Sequence, residues 1–271
     1  MAYNRFRALG AFVYTGENLT DDHLHNFSWA GGKWIAPVIY EDDRAGPWNV
    51  ANLTKLQNRA NQVGLEVGGW FNATNKQTPY NYARDIAALT LNYHLPLVIL
   101  DAELAYAYPS PGVQLLPELM QRLRDRLPAT DLLLSSLGPN NAYIYNGRTL
   151  APPRSMYDLK WRHGPQWYSS YYNRDGATTP QARMKWLKQN AHTDFNIKDP
   201  TAPYNRGLPL SFIHPTTEAT GLEGSDLEQE LKDIKEAQQY GLTAGISYYS
   251  LERAPAADFT ILRKYKNILF V

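Results

Sequence analysis

A single α/β domain over residues 1–271, folded as a (β/α)8 barrel of the TIM type, is what the sequence predicts. Three observations predict it. Short apolar runs of strand length recur eight times along the 271 residues. They stand roughly 25 to 45 residues apart, which leaves room for a helix between each pair. Several of the intervening segments carry helix start signals. The main alternative, an open doubly wound sheet, finds neither a Gly-rich dinucleotide loop nor a Walker loop to support it.

The predicted strands are Leu9–Tyr14, Trp34–Tyr40, Leu65–Phe71, Leu97–Glu103, Leu132–Leu137, Gln166–Tyr172, Leu208–His214 and Ala244–Ser250. After the first strand the helix candidate is Thr20–Asn26. Thr78-Pro79, a cap residue followed by proline at the first helical position, opens a helix over Tyr80–Tyr93. Val113–Leu127 is amphipathic and stops at Pro128. Met156–Arg162 is the helix candidate after the fifth strand. Thr179-Pro180 repeats the cap-then-proline signal ahead of Gln181–Ala191. Ser225 to Glu228 forms a capping box, followed by Leu227, Leu231 and Ile234 at helical spacing. A last helix near Asp258–Lys266 is expected to close against the first strand and bring the two ends of the chain together.

Composition excludes several functions. Net charge is +1, with no basic stripe, so no nucleic-acid partner is expected. Cysteine is absent, which removes disulfides, thiolate metal sites and a cysteine nucleophile. No Gly-x-Ser-x-Gly elbow and no His-Glu-x-x-His pair occurs, and the six histidines are scattered. No metal site and no cofactor are expected. No apolar stretch reaches the ~20 residues of a membrane span, so no membrane insertion is expected. The first residues lack the apolar core of a signal peptide. The chain is therefore expected to be soluble or to leave the cell by another route, acting on a virion or outside the cell. Nineteen Tyr, seven Trp and eight Phe suit a site for sugar rings, and equally a well-packed core.

The most telling stretch is Leu97-Val98-Ile99-Leu100-Asp101-Ala102-Glu103. An apolar run ends in two carboxylates spaced i, i+2, which strand alternation puts on one face. Adjacent acids repel, so the arrangement serves a proton donor beside a charge stabiliser better than it serves stability.

In a barrel the active site lies at the C-terminal strand ends. There the sequence collects Tyr14, Trp70, Asn72, Asp101, Glu103, Asn140, Tyr171, Tyr172, Asn173, His214, Tyr249 and Glu252. Tyr248 and Tyr249 point to opposite faces, so at most one lines the pocket. Gly68-Gly69 signals close packing, His214 suits a hydrogen-bonded structural role, and Glu17 and Glu252 are expected in solvent.

Gly68-Gly69-Trp70, Asp101-Ala102-Glu103, Tyr171-Tyr172-Asn173 and Gly245 to Ser250 resemble the corresponding strands of family 18 chitinase-type barrels. The Asp-x-Glu is also similar to that of family 25 lysozymes. The resemblance implies a glycosidase acting on a glycan with N-acetylated amino sugar. Glu103 would protonate the leaving oxygen. Asp101 would orient the acetamido group, and Tyr171 or Tyr172 would hydrogen-bond it. Trp70 and Tyr249 would stack on the sugar, with Tyr14, Asn72, Asn140, Asn173, His214 and Glu252 around it. The sequence departs from these patterns: the two further acids before the family 18 Asp-x-Glu are Pro96 and Ile99, and the first strand lacks the family 25 Asp. The alternative reading is a non-hydrolytic carbohydrate-binding or adsorption module, for example a bacteriophage tail component among other subunits of a larger assembly.

Overall fold

Among the described residues, eight parallel strands close on themselves. The computed structural model describes residues 5–41, 44–45, 48, 50–73, 76–102, 115–137, 159–166, 210–215, 227–229, 231–232, 235 and 243–266. In chain order the strands are β1 (Leu9–Val13), β2 (Gly32–Glu41), β3 (Arg44–Ala45), β4 (Glu66–Val67), β5 (Gly69–Ala73), β6 (Leu97–Ala102), β7 (Asp131–Leu137), β8 (Arg162–Gln166), β9 (Leu210–Pro215) and β10 (Thr243–Tyr249). The ladder runs β1, β10, β9, β8, β7, β6, β5, β2, and a β1–β2 pairing completes the ring. The β3 residues form a short antiparallel extension on the end of β2.

The third barrel strand is divided into β4 and β5 at Gly68, whose N–H still bonds to Ile35 O at 2.8 Å. A Cβ at Gly68 would lie 2.1 Å from the Leu97 side chain, and one at Gly69 would lie 2.6 Å from the Phe71 ring. Both glycines are there because neighbours approach too closely for any side chain.

The helices are α1 (Asp21–Trp29), α2 (Val50–Gln62), α3 (Pro79–Asn92), α4 (Leu116–Arg126) and α5 (Ala256–Lys264). Thr20 caps α1: its hydroxyl accepts from His23 N–H at 3.3 Å, and His23 Nδ1 accepts from Thr20 N–H at 3.2 Å. Thr78 caps α3 by accepting from Asn81 N–H, with Pro79 in the first turn as expected. Helix α4 buries Leu116, Leu119, Met120 and Leu123, the i, i+3, i+4, i+7 stripe. Helix α2 has no cap-then-proline signal and is held by Leu53, Leu56 and Ala60 on its buried side. Leu227 and Leu231 are helical and buried, in line with the capping box before them. Helix α5 packs against α1, so the first and last described α-helices are neighbours. The helix expected at Gln181–Ala191 lies outside the described residues.

Two expectations about the sixth barrel strand are corrected. The strand β8 starts at Arg162, not Gln166, and residues 159–160 form a turn where a helix over Met156–Arg162 was expected. Arg-His-Gly-Pro-Gln has no apolar run, so its strand state comes from five register pairs with β7 rather than from propensity. Arg124 holds the preceding turn through its Nε bond to Leu159 O at 2.8 Å.

The N-terminal end of the barrel is sealed. Trp34 from β2 lies across the interior over Gly10, where a Cβ would fall 1.9 Å from the indole. Phe6 meets it edge-on at 5.4 Å, and the indole Nε1 donates to Arg5 O at 3.0 Å. Arg5 then pairs with Glu66 at 2.7 Å and Asp131 at 3.1 Å, at the starts of β4 and β7. These contacts, hydrogen bonds to Glu66 first, raise the guanidinium further above its ordinary value. With one end plugged, the opposite end is where chemistry can sit.

Candidate active site

Asp101 is the penultimate residue of β6, and only 3% of it is exposed. Its Oδ1 accepts from Ser135 Oγ at 2.7 Å, and its Oδ2 accepts from Trp70 Nε1 at 3.0 Å. Ser135 is its register partner on β7, and Trp70 comes from the neighbouring β5. An indole nitrogen can only donate, so Oδ2 is an acceptor here. A buried carboxylate is tolerable only with such donors.

Trp70 is the centre of an aromatic group drawn from across the barrel. Its ring stands 5.3 Å from Phe12, 5.8 Å from Tyr249 and 6.0 Å from Tyr14. Phe12 and Tyr249 also meet edge-on at 6.1 Å. The interplanar angles for Phe12 and Tyr249 on Trp70 are 90° and 87°, the edge-to-face arrangement that ring quadrupoles favour.

The two tyrosines of β10 separate as alternation requires. Tyr249 turns inward to Trp70, while Tyr248 OH donates to the buried Asp258 on α5. Burial pushes the Tyr249 phenol up to about 12, with smaller upward contributions from Glu252, Tyr14 and Asp101 and an opposing one from Arg253. Tyr249 is therefore neutral at ordinary pH and can donate as well as accept.

Glu252 is not in solvent as expected: it is 7% exposed. It lies in the 3-10 turn Leu251–Arg253 directly after β10, and its Oε1 accepts from Tyr14 N–H at 2.7 Å and Thr15 N–H at 3.1 Å. Two main-chain donors account for a buried carboxylate that periodicity could not reveal. Glu17 is exposed, as expected.

The remaining candidates divide clearly. Asn72 is half-buried at the end of β5, in register with Asp101. His214 lies in β9 in register with Tyr248. Glu103, Asn140, Tyr171, Tyr172 and Asn173 lie outside the described residues. The structure thus brings together Tyr14, Trp70, Asp101, Tyr249 and Glu252. It adds Phe12, Ser135 and Trp48, which sequence reasoning had not picked as site residues. For Ser135 the signal was present: a serine ending the strand beside Asp101.

Among the described residues no group of three His, Asp or Glu could hold a metal ion, and no helix is long and apolar enough to cross a membrane.

No protein-family model matches the chain, and no curated protein matches its sequence. Solved structures do match. A GH18 chitinase from Pseudoalteromonas aurantia superposes with TM-score 0.67 at 14% identity, over 96% of this chain and 99% of that one. The fold is that of the glycoside hydrolase (β/α)8 barrels. The catalytic domain of a hyperthermophilic chitinase from Pyrococcus furiosus gives TM-score 0.61 at 12% identity, covering 98% and 97%. A psychrophilic family 10 endo-β-1,4-xylanase gives 0.55 at 11% identity, covering 90% and 86%. The likeness therefore extends to glycosidases with different substrates.

Proposed function

We propose that this chain is a retaining glycoside hydrolase acting on a glycan with N-acetylated amino sugar, such as chitin, peptidoglycan or another surface polysaccharide. One observation carries the proposal: a buried carboxylate at the C-terminal end of the fourth barrel strand, held by Trp70 and Ser135 beside an aromatic group. The chitinase-like fold supports it, and so does the binding of chito-oligosaccharides by one of those chitinases.

Glu103, two residues beyond Asp101, protonates the glycosidic oxygen as the bond to the anomeric carbon breaks. The sugar's own acetamido carbonyl closes on that carbon from the opposite face. Glu103, now a carboxylate, takes a proton from water, whose oxygen opens the ring with net retention. Asp101 orients the acetamido N–H and stabilises the positive charge it develops. Trp70 and Ser135 hold the carboxyl group in the orientation this role needs.

Release of reducing ends from chitohexaose and from peptidoglycan tests the reading. Glu103→Gln is expected to fold normally and lose about 10²–10⁴-fold in rate, the usual share of a general acid-base residue. Unchanged turnover in that variant would sink the assignment.

A second reading, a non-hydrolytic glycan-binding or adsorption module, is favoured by Ile99. That residue is fully buried between Trp70 and Leu133 in the ladder, at a position where the resemblance calls for an acid. Tight chitohexaose binding with no reducing ends released from any glycan would support it.

A further inference from the structure

The first and last barrel strands meet at a seam, and one side chain crosses it. Glu252, just past β10, accepts from the main-chain N–H groups of Tyr14 and Thr15, just past β1. Tyr14 is gripped from its other side as well, where Trp48 Nε1 donates to Tyr14 O at 3.0 Å. Trp48 also covers Gly16, whose φ is +71° and where a Cβ would lie 2.1 Å from the indole. Tyr14 is thus tied at its N–H by the chain after β10 and at its carbonyl by Trp48, while its ring rests against Trp70.

The second oxygen of Glu252, Oε2, is sealed from solvent and has no hydrogen-bond partner among the described residues. A sugar cannot reach a sealed oxygen, so Glu252 acts through the main chain it holds. A buried acceptor left unmatched costs stability that an apolar residue would not. Departures of this kind concentrate where geometry matters more than stability.

We propose that Glu252 is a positioning residue, which together with Trp48 fixes Tyr14 at the rim so that its ring, set against Trp70, offers a face on which a pyranose rests. The ligand rests on the glycan reading above; the clamp rests on the hydrogen bonds alone.

Two readouts separate them. The first is the ¹⁹F resonance of 3-fluorotyrosine placed at position 14, measured without ligand. The second is calorimetric binding of chitohexaose in a Glu103→Gln background. Glu252→Gln keeps a carbonyl acceptor and is expected to leave both close to wild type. Glu252→Ala is expected to shift or broaden the Tyr14 resonance and weaken chitohexaose about tenfold, the worth of one ring contact. Glu252→Asp keeps the carboxyl group but withdraws the acceptor, and is expected to move the resonance in the same direction. It carries the test if the alanine variant does not fold. A Tyr14 resonance unmoved in folded Glu252→Ala or Glu252→Asp overturns the clamp, whatever happens to sugar binding. A moved resonance in a protein that binds no chitohexaose upholds the clamp and removes the sugar.

Discussion

Replacing Trp70 by phenylalanine isolates the bond on which the site's geometry depends. The substitution keeps a ring where Phe12, Tyr14 and Tyr249 need one. It removes the Nε1–H that reaches Asp101 Oδ2 at 3.0 Å. A hydrogen bond to a charged, buried acceptor is worth about 1.5–3 kcal/mol. The smaller ring forfeits roughly a further 1 kcal/mol of edge contacts. The expected loss is therefore about 3 kcal/mol in urea unfolding, seen as a lower midpoint at unchanged slope. Asp101→Asn alone removes the charge but leaves an amide carbonyl to accept from the indole. In the double variant the two losses should overlap by about 1–2 kcal/mol. Losses that add within about 0.5 kcal/mol would refute the claim that Trp70 and Asp101 act as one unit.

Two further predictions concern the barrel interior and the rim. Gly10→Ala forces a methyl into the Trp34 indole and should cost about 1–3 kcal/mol, read as a drop in melting temperature; an unchanged melt would mean Trp34 does not lie where described. Tyr249 supplies a pH dependence. Its phenol is held neutral to about 12 in the fold, against 10.0 for the ordinary group. Between those values the unfolded chain loses the proton first, so stability falls as pH rises, by about 2 kcal/mol at the upper end, and is unaffected below them. Tyr249→Phe should flatten this fall in urea unfolding series taken across that range, and an equally steep fall in the variant would contradict the burial of the phenol.

What could be read from the sequence was whatever alternation or helical periodicity encodes. Asp101 stands at a strand end facing inward because an apolar run leads up to it, and Tyr248 and Tyr249 part company because neighbours on a strand must. The start of β8 was illegible: Arg-His-Gly-Pro-Gln is strand only because β7 supplies a ladder for it. The burial of Glu252 was illegible for a related reason. Its two donors lie 238 and 237 residues away along the chain, and only barrel closure brings them beside it. The Trp34–Gly10 packing depends likewise on a register between β1 and β2 that neither strand announces alone. Gly68-Gly69 was the reverse case: the close approach its composition suggests is met at both positions.

Phe12, Trp70, Asp101, Ser135 and Tyr249 all belong to strands, and none of the contacts among them uses a connecting segment. For protein engineering this divides the molecule into a part to leave alone and a part to randomise. Substitutions kept away from these five residues would leave the carboxyl group, Trp70 and Ser135 in their places.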